Sequence, residues 1–552
     1  MMKTDFVSEV NAMKTLYVNG RVFAGQLPLQ EAFAVEDGRF AAVGSDAEVL
    51  AQRGEGDAVI DLGGKFVCPG FNDSHMHLLN FGNAMSCCDL ASHTASMEDM
   101  QEALRAYIRQ RDIAPGQWVK GRGWNQDYFA GEKRIPTRQD LDAVSTEHPI
   151  GIVRCCGHAM VVNTAALRLL GLDGTQPQPD GGEYGVEADG YPNGIFCDNA
   201  MPMVLTRLPL PTRADIREML RMACRAYNAV GVTSVHSDDL LAFEGVDWHE
   251  VMEAYKELDA AGELTVRVNE QSQFATVEGL KQFFAEGYNT GWQQGNLRVG
   301  PLKILGDGSL GARTALMSQG YADAPEEKGL AIYTQEQLDA LISCAHKAGM
   351  QVAVHVIGDG ILDRVLLAYE KAFAEQPRDN HRSGVIHVQL TRPEQLEKMA
   401  QMKLHAYVQS VFLDYDTRIV HARAGEKLAS TSYAFRTLRN KGMHVSNGTD
   451  CPVEKPDPMR GIQCAVTRQP IDGSLPPYNP GEAATLEEAL RSYTAEGAWA
   501  SFEEDVKGCI QPGMLADFVI LSGNPFESAP EKLAAIRAVE TYLGGAKVYS
   551  EA

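Results

Sequence analysis

From Pro69-Gly70 to Asp450 the chain alternates short apolar strands with amphipathic helices, and this alternation leaves few folds open. Eight candidate strands stand out: 70–77, 232–237, 264–269, 300–308, 351–357, 385–390, 404–410 and 443–450. Helical patterns lie between them, such as ADIREMLRMACRAYNAVG and EQLDALISCAHKAGM, which run to Gly231 and Gly349 as helix C-termini prefer. Strand–helix alternation is the pattern of a parallel sheet. Eight repeats is the count of a (β/α)8 TIM barrel, so the expected class is α/β.

The barrel accounts for residues 69–507, with one large interruption after its first strand. Residues 79–231 are too long for a βα loop and carry strands and helices of their own, such as PIGIVRCCGHAMVVN and MEDMQEALRAYIRQR. They are expected to form an insertion covering the barrel mouth. Both chain ends read as short strands with NG, DG and GG turns. Residues 13–68 and 508–552 are therefore expected to build one small, discontinuous β-sandwich. A second Met-Lys-Thr at residues 13–15 marks residues 1–12 as an extension.

At 552 residues, ordinary domain sizes would predict three or four domains, but a barrel with insertions absorbs most of that length. The net charge of −23 argues against a phosphate-tracking surface, so no nucleic-acid partner is expected. No apolar run approaches the ~18 residues of a membrane span, and the first residues lack the apolar core of a secretory signal. A cytoplasmic protein acting on a small molecule is the expectation. The eleven cysteines, scattered and without CxxC, read as small buried hydrophobes rather than a disulfide framework.

Chemistry is signalled by polar residues inside apolar strands. His75 and His77 stand at i, i+2 in the first strand and so share a face. Lys303 interrupts the fourth strand, His355 lies in the fifth, His387 in the sixth, and Asp450 closes the eighth. Any one of them has an ordinary explanation: a hydrogen-bonded core histidine, a snorkelling lysine, a turn aspartate. All six at matching ends of five strands do not, because those ends converge on one mouth where unpaired buried groups are costly.

PGFNDSHMHL resembles the PGxxDxHxH first-strand motif of the amidohydrolase superfamily of metal-dependent hydrolases. KILGDGSLGARTALM, HVIGDG, IHVQL, SNGTDCPVEKPDP, GRGWNQDYF and GHAMVVNTAAL resemble more specifically its YtcJ-like, amidohydrolase-3 subgroup. The resemblance covers residues 13–550. It implies a divalent metal centre, with two zinc ions as the expected cofactors. His75 and His77 would hold one ion and His355 and His387 the other. Lys303, carboxylated on its amine, would bridge them, because a free cationic amine repels metal whereas a carbamate offers two oxygens. An unmodified Lys303 would leave a mononuclear site. Asp450 would bind metal and act as general base for a metal-activated hydroxide. Barrel hydrolases of this size commonly dimerise, which makes a homodimer the assembly to expect.

Four further residues are candidates for substrate contact. His158 and Trp124 lie in the insertion, and Trp124 equally suits an anchor of that insertion's own core. Asp307 and Arg313 follow the fourth strand in DGSLGAR, where Arg313 equally suits a loop salt bridge. The implied reaction is hydrolysis of a C–N bond in an amide, N-acyl, formamide or cyclic amide. Deaminases of this fold carry a Glu shortly after the fifth-strand histidine, whereas this chain reads HVIGDG. A metal-dependent lyase or decarboxylase, and a non-catalytic binding protein, are the remaining alternatives. The presence of the proposed base Asp450 weighs against the last.

Overall fold

The computed structural model describes residues 13–155 and 158–551. The expected extension 1–12 lies outside the described residues. Two compact units are present: one spans Phe81–Asp215, the other residues 13–80 and 216–551.

In the larger unit eight parallel strands follow one another in chain order. They are β1 (Phe71–Met76), β2 (Val232–Ser237), β3 (Arg267–Gln273), β4 (Leu297–Leu305), β5 (Val352–Val356), β6 (Gly384–His387), β7 (His405–Val408) and β8 (Val445–Asn447). Helices connect them, as the period of the sequence predicts. The helix Gln335–Lys347, for instance, starts at Thr334 with a reciprocal capping box to Gln337 and buries Leu338, Leu341, Ile342 and Ala345. This is the (β/α)8 barrel.

No ladder joins β8 to β1; the residues just after β8 close the gap. Asp450 N–H donates to His75 O at 2.8 Å and Thr449 N–H to Asp73 Oδ1 at 2.9 Å. The Thr449 hydroxyl reaches Asp73 Oδ2 at 2.5 Å. A Cβ on Gly448 would lie 2.6 Å from His75 N, so only glycine permits this approach.

One strand is displaced from its expected place. The sequence predicts β3 over 264–269, whereas it runs to Gln273. Its second half, Glu270, Gln271 and Ser272, is polar yet fully buried, and a hydropathy pattern cannot report such residues as strand.

The chain ends form a β-sandwich in the same unit. One sheet orders Arg39–Gly44, Ala32–Glu36, Thr15–Val18 and Ala58–Asp61; the other orders Arg21–Val22, Phe66–Pro69, Phe518–Leu521, Ala538–Leu543 and Ala546–Ser550. Within each sheet Tyr17 stacks on Phe33 at 4.7 Å and Phe518 on Tyr542 at 4.3 Å, and between the sheets Phe518 meets Tyr17 and Phe33 edge-on at 5.2 and 5.0 Å. Alternating apolar residues from both chain ends thus make one core.

The smaller unit is a six-stranded mixed sheet with the helix Met97–Arg111 packed on it. Residues 216–231, assigned to the insertion from sequence, sit with the larger unit. There the helix Arg213–Asn228 buries Ile216, Leu220 and Tyr227. Among the described residues no helix is long and apolar enough to cross a membrane.

Candidate metal centre

Parallel registers bring the polar strand residues to one end of the barrel. Leu305, two residues after Lys303, pairs with His355, and Val356 pairs with His387. Beyond His387 the strand ends, because His387 and Val388 both adopt positive φ (74° and 50°). Asp450 is likewise left-handed, with φ of 57°, as the chain leaves β8.

The six residues form a connected group. His77 Nε2 lies 3.1 Å and His75 Nε2 3.4 Å from Asp450 Oδ1. Lys303 Nζ donates to His75 Nε2 and to Asp238 Oδ2, each at 3.2 Å. His355 Nδ1 lies 2.9 Å from His387 Nε2, and the His75 and His387 ring centroids are 5.5 Å apart. His75, His387 and Asp450 each offer a ligand atom, all within 4.8 Å of one another.

What the second nitrogen of each ring does decides what the first can do. His75 Nδ1 sits 2.6 Å from Gln271 Oε1, and His387 Nδ1 2.7 Å from Gln409 Oε1. The Gln271 amide is oriented by its own Nε2, which donates to Ser74 O. His355 Nε2 faces Gly308 O at 3.1 Å, and His77 Nδ1 faces Asp238 O at 3.3 Å. Each ring therefore donates outward to an oxygen and turns its other nitrogen into the group.

The electrostatics favour ligand-competent forms. Burial, reinforced by neighbouring positive groups, holds His75 and His355 well below the ordinary imidazole pKa. Burial likewise lowers His387 to about 4. For His77 burial is outweighed by the hydrogen bond and charge of Asp450, which raise its pKa. Asp450 is held below the usual carboxylate range, because His77, His387 and Lys303 outweigh its burial. Three neutral imidazoles, a fourth whose proton a cation would displace, and an ionised carboxylate fit a divalent metal.

A cavity of about 420 Å³ opens on this group and is lined by His355, His387 and Asp450 together with Gln389, Phe412, Tyr415, Asp416 and Glu454. The loop Gly308–Gly311 forms another side. Its size suits a small molecule.

The other predicted residues are placed differently. Asp307 is buried, and its carboxylate accepts from the backbone N–H groups of Leu316, Ile357 and Gly358 at 2.8, 3.0 and 2.9 Å. Its Oδ1 also lies 3.5 Å from His355 Nε2, so it anchors the loop against a residue of the group, and burial pushes its pKa up to about 7. Arg313 makes the loop salt bridge, to Asp323 at 2.8 Å. In the smaller unit Trp124 is fully buried in the core with Met100, Leu104 and Ile152. His158 is exposed there and pairs with Asp198 at 3.1 Å.

Sequence reasoning missed Gln271, Gln409, Asp238 and Asp73, which orient the ligands or close the barrel. Asp238 and Gln409 directly follow strands, whereas Gln271 and Asp73 lie within them; the polar strings NEQSQ and HSDD are the signal that could have found Gln271 and Asp238. Asp73 sits in the first-strand motif itself, where burial raises its pKa to about 7.

The description "Amidohydrolase family" matches residues 58–549. The chain is 33% identical to the putative amidohydrolase YtcJ of Bacillus subtilis (strain 168), over 94% of this chain and 96% of that protein. It is 27% identical to the N-substituted formamide deformylase of Arthrobacter pascens, over 98% and 99%. Among solved structures, a metal-dependent hydrolase from Pyrococcus furiosus superposes with a TM-score of 0.77. It is 29% identical, over 93% of this chain and 100% of that one.

Proposed function

Because the chain belongs to the amidohydrolase family, we propose that it is a metal-dependent hydrolase of a non-peptide C–N bond, in an amide, N-acyl, formamide or cyclic amide. The observation that carries this reading is the set of four imidazoles, each tied outward to an oxygen and turned inward beside a buried lysine and an ionised carboxylate. The likeness to a formamide deformylase over nearly the full length of both chains supports the same bond type.

In this reading His75 and His77 would hold one ion and His355 and His387 a second, and Asp450 and Lys303, the latter as a carbamate, would complete the ligand set. Imidazole ligands suit zinc. A divalent ion bound there supplies a Lewis acid that polarises a carbonyl oxygen and lowers the pKa of water. The remaining work falls to the chain. Asp450, kept ionised beside His77, removes a proton from the attacking water as the C–O bond forms. It then delivers that proton to the nitrogen as the C–N bond breaks, giving a carboxylic acid and an amine. Gln271 and Gln409 keep the His75 and His387 rings from turning during the cycle.

Metal analysis combined with product identification tests the reading. A panel of N-acyl amines, formamides and cyclic amides is expected to yield amine plus carboxylate, and chelation to abolish the release. Carbon dioxide release, or bound metal without turnover anywhere in the panel, would overturn it.

A further inference from the structure

The cavity beside the metal centre has a wall of hydrogen-bond acceptors. Gln389, only 3% exposed, commits its amide nitrogen to Asp416 Oδ2 at 2.6 Å and to the Tyr433 hydroxyl at 3.0 Å. That fixes the amide, and Gln389 Oε1 is left without a hydrogen-bond partner among the described residues. The Tyr433 hydroxyl also donates to Asp416 at 2.7 Å, so the donors on Asp416 are neutral and its charge is not cancelled. Glu454 lines the same cavity, and neither it nor Asp416 has an ion-pair partner among the described residues.

The nearby cations are engaged elsewhere. Arg460 pairs with Asp414 at 2.8 Å and Arg418 with Asp472 at 3.1 Å. No Lys or Arg is among the residues lining the cavity. Burial raises both Asp416 and Glu454 to about 6; for Glu454 the charge of Asp414 adds to the effect and that of Arg460 partly offsets it. Both remain largely ionised at neutral pH. Two half-buried negative charges and a free amide oxygen, with Phe412 and Tyr415 alongside, form an expensive arrangement while no cation pairs with it.

We infer that this wall selects a substrate carrying a protonated amino group, which Asp416, Glu454 and Gln389 Oε1 receive while the C–N bond lies at the metal ligands. An ammonium offers three donors and one positive charge, matching three acceptors, whereas a carboxylate would meet only oxygens. The inference deepens the proposed C–N hydrolysis and rests on that site being catalytic.

Binding separates the two ideas because it needs no turnover. Phenethylamine, phenethyl alcohol and 3-phenylpropionate differ chiefly in charge and can be titrated calorimetrically into the metal-loaded protein at pH 7, where the amine is protonated. The ammonium is expected to bind at least about tenfold tighter than the alcohol, and the carboxylate weakest. Glu454→Gln and Asp416→Asn should each remove most of that preference, and Glu454→Lys should turn it toward the carboxylate. Equal binding of the three, no binding of the amine, or a preference that survives the Glu454→Gln/Asp416→Asn double variant would overturn the inference. Turnover of neutral amides without ammonium preference would sink this inference alone. Ammonium preference without amide turnover would sink the hydrolase reading and leave the wall as a binding determinant.

Discussion

His355 Nδ1 and His387 Nε2 face each other across 2.9 Å, while the far nitrogen of each ring already rests on an oxygen. With those outward hydrogen bonds made, neither neutral ring has a proton left for the contact, so two lone pairs oppose one another. A cation between or beside them removes the conflict, and the outward oxygens are what maintain it. Removing the Gln409 oxygen should therefore weaken metal binding. Gln409→Leu is expected to lose roughly 10–100-fold in metal affinity, read by competition with a chromogenic chelator. Gln409→Glu keeps an acceptor at the same place and should stay near wild type. Unchanged affinity in the leucine variant would remove Gln409 from this role.

Asp450 is the group that touches both histidines of the first strand, at 3.1 and 3.4 Å. As the proposed base it must be ionised, and its surroundings keep it so. Asn at this position preserves shape and one oxygen but cannot take a proton. Turnover of Asp450→Asn is expected to fall by roughly 10²–10⁴-fold, while elemental analysis still finds metal bound. Retained activity would refute the assignment.

The barrel was legible because its strands are apolar and its helices amphipathic, two periodicities that survive in one sequence. The six polar residues that now form one group were legible for the same reason, as each interrupts an apolar strand near its end. Gln271 and Glu270 were not, because polar residues buried within a strand look like a loop when their partners are unknown. Tyr227 was assigned with the insertion, although its hydroxyl reaches Asp73 at 3.2 Å. A hydrogen bond across 154 residues leaves no local pattern. Asp307 illustrates the opposite difficulty: a carboxylate after a strand suggests a ligand contact, and nothing in the sequence reveals three backbone donors waiting for it.

Lys303 has two exclusive chemistries. As a free amine it pairs with Asp238 and donates to His75; as a carbamate it would carry negative charge toward the metals. The proposed two-ion centre requires the second. Intact-protein mass measurement of the metal-loaded enzyme should show the added mass of one carbon dioxide on Lys303. Lys303→Ala should lower bound metal from two ions to one or fewer and reduce turnover with it. Two ions retained in that variant would exclude the bridge.

Asp307 tests whether the loop after β4 is held by design. Its two oxygens receive three backbone N–H groups, from Leu316, Ile357 and Gly358, tying the loop to the end of β5 immediately after His355. Asparagine must place its NH2 where at least one of those donors points, leaving a buried N–H unmet. Asp307→Asn is therefore expected to cost about 1–3 kcal/mol of stability, visible as a lowered thermal midpoint. The Gly308–Gly311 segment lines the cavity, so KM should rise in the variant more than kcat falls. A direct substrate ligand would instead raise KM without loss of stability, and that outcome would return Asp307 to the substrate-binding set.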